Sequence, residues 1–298
     1  MKYVRTFFEV LLYLFTFLAI QFVVSFIVTI ASWLDVDNLA RIFHQIMEGK
    51  LLPDTTGTLI SSVVSSILTL AVFLWLKWSP FSRTYLQSRP WGVLVWVVVL
   101  ALGTIVPSTW LGEQIPYEMP QEIEQMLSEM LHNRWGYLAI GILAPIVEEM
   151  VFRGAILRTL LLLGGRGNDQ SSMLNAQSSM LNAQSSKFKA FAAILISALL
   201  FGAVHGNVQQ FVHATLIGLL LGWMYYRTNS IVPGIVFHWV NNTAAYVIAN
   251  VIPNSEHARL VDVLGGEQRS VWLALGFSLC LFLPALFQLW QRMKKVGE

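Results

Sequence analysis

Glu148 and Glu149 stand side by side, with Arg153 just beyond, inside an apolar stretch, 136–163, long enough to cross a bilayer. An ionised side chain at that depth costs about 3 kcal/mol, so such residues face a polar cavity and take partners there. Neighbours on a helix point about 100° apart, so the two carboxylates cannot both face one small site. Arg153 lies four residues after Glu149, the spacing of an i,i+4 ion pair. That pairing leaves Glu148 for chemistry. Pro145, three residues earlier, removes a backbone donor and can bend the helix, opening space beside the acid.

Two later apolar segments carry histidines. His205 closes the run Phe201-Gly202-Ala203-Val204-His205, and His238 shares a helical face with Asn242, whereas Asn241 points elsewhere. His213 is also intramembrane, but it lacks a matching polar partner in its own helix and reads as a packing residue. Hydrolysis of an amide needs an activated water and donors for the developing oxyanion. A glutamate can take the water's proton, one histidine can orient the water, and an imidazole and a carboxamide can donate to the oxyanion. One glutamate, two histidines and one asparagine supply this set. Glu148, His205 and His238 could instead hold zinc with an open position. No His-Glu-x-x-His motif is present, so spacing forces no metal and the sequence requires no cofactor.

Composition says what must position these groups. The chain is 55% hydrophobic and 12% charged with mean hydropathy +0.60, against about 25% charged for soluble domains. It reads as an all-α, polytopic membrane protein whose surroundings are the lipid bilayer of the cell (plasma) membrane. A formal charge of +2, with no basic cluster interleaved with aromatics, excludes a nucleic-acid partner. The single cysteine, Cys280, lies in an apolar run, which excludes an internal disulfide and a thiolate metal site. The first apolar stretch continues to about Leu34 without a small-residue cleavage site and fits a retained helix rather than a signal peptide.

Eight runs approach the span length of about 20 residues: 7–33, 57–77, 91–111, 136–163, 188–206, 211–227, 231–251 and 270–290. With both termini cytoplasmic, thirteen Lys and Arg residues fall inside and five outside, Arg153 being left out as intramembrane. That asymmetry satisfies the positive-inside rule and favours eight spans over seven or nine. In two outer loops, apolar residues recur on one helical face (Leu39, Ile42, Phe43, Ile46 and Met47; Ile123, Met126, Leu127, Met130 and Leu131), predicting short interfacial helices. Residues 170–186 repeat Gln-Ser-Ser-Met-Leu-Asn-Ala, a polar low-complexity tract that reads as a cytoplasmic loop. On straight helices Glu148 would lie about 18 Å from either end of its span, while His205 sits nearer the outer end of its own. The fifth span must then start well inside the cytosol, or the boundaries shift by a turn.

These residues resemble the CPBP family of intramembrane proteases, also called the CaaX protease and bacteriocin-processing or Abi family. Its motif Glu-Glu-x-x-x-Arg matches Glu148, Glu149 and Arg153, Phe-x-x-x-His matches Phe201 and His205, and His-x-x-x-Asn matches His238 and Asn242. Each motif alone is weak; all three in order on hydrophobic segments are specific. The resemblance covers about 136–247. It implies that Glu148 with His205 activates water, that His238 and Asn242 form the oxyanion hole, and that Glu149, Arg153 and Phe201 support the site. It implies a peptide or protein substrate in the membrane, and it leaves metal-dependent and glutamate-type hydrolysis both open. Residues 136–250 then read as a CPBP/Abi-like catalytic core. Residues 1–135 supply N-terminal transmembrane helices with interfacial loop helices, and 251–298 a last transmembrane helix and short basic tail. The alternative is a non-proteolytic membrane adaptor or regulator with the same fold, against which the intact polar set argues. A transporter would also place carboxylates and histidines at depth, but no inverted repeat is visible.

Overall fold

The structure, a computed structural model, describes residues 1–34, 54–80, 83–117, 121–163, 176–252 and 258–293. Every regular element among them is a helix. In chain order these are α1 (Lys2–Leu34), α2 (Thr55–Trp75), the short α3 (Arg83–Gln87), α4 (Trp91–Glu113), α5 (Gln121–His132), α6 (137–163), α7 (Ala176–Ala203), α8 (Val208–Thr228), α9 (Val232–Val251), the one-turn α10 (Leu260–Val263) and α11 (Gln268–Arg292). Each of the eight apolar runs coincides with one long helix, so the chain is a polytopic helical membrane bundle. Lys2–Ala31, Thr55–Trp75, Trp91–Glu113, Ser186–Ala203 and Gln268–Arg292 are each long and apolar enough to cross a membrane. The helices that fall short by that measure, α6, α8 and α9, are interrupted or carry the polar residues singled out above.

Outer helices turn large apolar side chains such as Phe22, Phe26, Phe277 and Phe287 outward, the expected surface of a protein in lipid. The core instead gathers around α6, where Met150 through Leu157 are all buried. Helix α7 packs along α8, α1 along α2, and α4 lies between α9 and α11. Small residues allow the α7–α8 approach: a Cβ on Gly218 would sit 3.1 Å from Ala198, and one on Gly222 would sit 2.8 Å from Ile194. Without a hydrophobic drive between helices in lipid, such close backbone contact is what associates them.

Helix α6 is not a straight α-helix. Tyr137–Leu143 and Met150–Leu157 are π-helical and flank the α-helical Ala144–Glu149, with Arg158–Leu163 closing the span. Widened turns of this kind accumulate at functional sites.

The amphipathic outer helix predicted around 123–131 is α5, which packs on α9 and α2. Its counterpart around 39–47 lies outside the described residues. The repeat tract departs from expectation. Residues 176–186 are helical and extend α7 toward its N-terminus, while 170–175 lie outside the described residues. Ala, Gln, Met and Leu are good helix formers, and adding turns to a helix already nucleated by an apolar span avoids the nucleation cost.

Candidate active site

Local rules set each side chain. Helix α7 ends at Ala203, and His205 follows in a turn that Gly206 closes with φ +74°, a left-handed conformation natural to glycine. Asn207 then caps α8 by accepting a hydrogen bond from the Gln210 amide at 2.8 Å. His205 is thereby held at the junction of two antiparallel helices. Its Nδ1 donates to the Phe201 carbonyl at 2.8 Å, the only direction possible because a carbonyl can only accept. In the neutral ring Nε2 is then an acceptor.

Two faces of α6 divide the carboxylates. Arg153 Nη1 donates to Glu149 Oε1 at 2.6 Å, and Nη2 donates to the Gly218 carbonyl at 3.3 Å. Both side chains are fully buried. The guanidinium lies 4.3 Å from the centre of the Phe201 ring, a cation–π contact. Gly234 makes room for the pair, since a Cβ there would collide with the Glu149 carboxylate. Glu148, one residue away, is partly exposed and borders a cavity of about 320 Å³.

That cavity is lined by Glu148, Phe201, His205, His238 and Asn242 together with apolar residues of α6 and α8. His238 Nε2 is 3.8 Å from Glu148 Oε2, and its Nδ1 is 3.7 Å from Glu149 Oε1. These gaps exceed a direct hydrogen bond and suit a bridging water. Among the described residues neither Glu148 Oε2 nor His238 Nδ1 has a hydrogen-bond partner. The Phe201 ring meets both imidazoles edge-on, with centroids 5.1 Å from His205 and 5.8 Å from His238. It spaces them like a wedge.

Asn242 is fixed by a defect in the backbone ladder. Ala139 accepts from the Ala144 amide, and Pro145 has no N–H to offer Ile140 across a π-type i→i+5 step. The freed Ile140 carbonyl accepts from Asn242 Nδ2 at 2.9 Å. A carboxamide has two N–H donors, so one remains for the cavity.

The sequence-based reading of Asn241 and His213 is corrected here. Both line the cavity, as do Gln210 and Ser62. Asn241 lies three residues after His238, a spacing that shares a helical face just as four does. Gln210, His213 and Ile217 form a single helical stripe on α8. That stripe was visible in the sequence, but it appears only when partners are sought at intervals of three and four together.

The depth mismatch between Glu148 and His205 also disappears, because both line one cavity. His205 lies one turn beyond Phe201, while Glu148 lies beside His238. For a metal the set fits less well. Among the described residues no three His, Cys, Asp or Glu side chains converge as a metal-binding group, although the His205 Nδ1 bond to the Phe201 carbonyl leaves its Nε2 free to ligate. In this arrangement Glu148, His205 and His238 do not close into a three-ligand site.

Fold and composition define a helical integral membrane protein, and one family model matches part of the chain. Residues 131–244 match the family model described as Type II CAAX prenyl endopeptidase Rce1-like. The match covers the segment carrying all three motifs and leaves the rest of the chain unmatched. Over that segment the chain is similar to CAAX-type membrane endopeptidases. No curated protein and no solved structure matches the chain.

Proposed function

We propose that the chain hydrolyses a peptide bond of a membrane-associated protein or peptide, prenylated or not, by glutamate-activated water. Glu148 takes a proton from a water that His205 holds through its acceptor Nε2, and the water oxygen attacks the scissile carbonyl carbon. His238 and the second N–H of Asn242 donate to the resulting oxyanion. The proton on Glu148 then passes to the amine nitrogen as the C–N bond breaks. Glu149 and Arg153 do not touch substrate, and Phe201 meets it only as apolar cavity wall. They hold α6 and His238 in register, so that Glu148 alone presents a carboxylate to the cavity.

One observation carries this reading. Glu148, His205, His238 and Asn242 line the same cavity, with an unpartnered carboxylate oxygen facing an imidazole across 3.8 Å. Residues 136–250 form the catalytic unit, framed by the helices of 1–135 and 251–298, in a multi-pass protein of the plasma membrane. To test it, the purified protein in detergent is incubated with a peptide library after dialysis against a zinc chelator, and new termini are read by mass spectrometry. Cleavage that survives the chelator and disappears in Glu148→Gln supports the mechanism. Cleavage that requires added zinc overturns it.

A further inference from the structure

We infer that the cavity opens on the extracytoplasmic face of the membrane and takes a peptide segment exposed on that side. This rests on the protease reading above. Contacts sort the helix ends into two groups. At one end, Lys2 Nζ donates to the Leu162 carbonyl at 3.2 Å, and Arg227 Nε donates to the Met293 carbonyl at 2.6 Å. At the other, Asn250 Nδ2 donates to the Leu131 carbonyl at 2.9 Å, and Tyr246 Oη donates to the Asn133 carbonyl at 3.3 Å.

The two ends differ in charge. The first carries Lys2, Arg5, Lys187, Lys189, Arg227 and Arg292, with Glu9 among them. At the second, Asp54, Glu113, Glu129, Asp262 and Glu267 stand beside Arg134, Arg259 and Arg269. Short basic segments stay on the cytoplasmic side, so the first end is cytoplasmic.

The cavity reaches toward the second end. Ala139 and Gln210, each the third residue of its helix counted from that end, line it together with His205 in the α7–α8 turn. Glu148, Phe201 and His238 form its floor. Beneath that floor, toward the basic end, Arg153, Phe152, Ile156, Leu157, Leu221 and Met224 are fully buried. A substrate from the cytoplasm would have to displace that packed layer, whereas one from the opposite face meets the cavity directly. Glu148 lies eleven residues beyond Tyr137, roughly 15 Å at helical rise. An extended chain advances about 3.3–3.6 Å per residue, so the cavity suits an unfolded terminus or loop of some four or five residues.

The test uses full-length protein in membrane vesicles. Cys280, the only native cysteine, is changed to Ser, and single cysteines are introduced as Gln210→Cys or Val208→Cys near the mouth and Lys187→Cys at the basic end. A membrane-impermeant maleimide is then added to right-side-out or inverted vesicles. Both mouth variants should label in right-side-out vesicles and Lys187→Cys only in inverted ones. Mouth labelling confined to inverted vesicles, labelling of both ends from one side, or reaction at the mouth only with a lipid-soluble maleimide would overturn the proposal. Labelling does not depend on turnover, so an inactive protein leaves this result readable. Conversely, an active protein labelled from the wrong side refutes only the orientation.

Discussion

Glu148 and Glu149 are chemically identical and covalently adjacent, yet one borders a cavity while the other is sealed against Arg153 with no exposed surface. A rotation of about 100° along one helix separates them. On the buried face the charges are paired, and Arg153 meets Glu149, the Gly218 carbonyl and the Phe201 ring. Among the described residues each carboxylate has one oxygen without a hydrogen-bond partner, but that of Glu148 borders the cavity whereas that of Glu149 is sealed from it. One face therefore bears on folding and the other on reactivity, and substitutions on the two should fail in different ways.

The sharpest contrast comes from the open face. Glu148→Gln should lower turnover on the order of 10²- to 10⁴-fold, the usual worth of a positioned general base, without lowering the melting temperature in detergent. A variant that melts early would make Glu148 a structural residue like its neighbour. On the sealed face, Arg153→Ala should cost about 3–5 kcal/mol of stability, because it strands a buried carboxylate. The double variant Glu149→Gln with Arg153→Met should recover part of that loss. Wild-type melting of Arg153→Ala would erase the distinction between the faces.

A smaller effect is expected at Asn242, which belongs to the open side. Asn242→Ala should reduce kcat about 10²- to 10³-fold with little change in KM, the signature of a lost oxyanion donor. An equal fall in affinity would mark it as a substrate-binding residue instead. Smallest is Gly234→Ala, whose new Cβ would press on the Glu149 carboxylate and should destabilise by about 1–3 kcal/mol through overpacking. An unchanged melting curve would mean that the sealed face yields more than its burial implies.

Hydrophobic run length made the helices legible, and the i,i+4 interval made the Glu149–Arg153 pair legible, since both depend on local periodicity alone. The π-helical stretches of α6 were not, because they arise from how Pro145, Asn242 and the neighbouring helices share backbone carbonyls. Asn241 and His213 were misread for a related reason: which face of a helix meets a cavity depends on the helices around it. The helical part of the repeat tract was missed because polarity outweighed helix propensity in judging it. Convergence of residues about ninety apart in sequence could be inferred only from their joint motif pattern, and the distances between them came from the structure.

The most direct measurement compares peptide termini in the membrane fractions of cells with wild-type protein, Glu148→Gln protein or none. A glutamate-dependent protease should leave the same uncut precursor in the variant and in the cells without protein, absent from the wild type. If the termini of Glu148→Gln cells match those of the wild type while cells lacking the protein differ, Glu148 does not carry the chemistry and the chain acts by binding a partner.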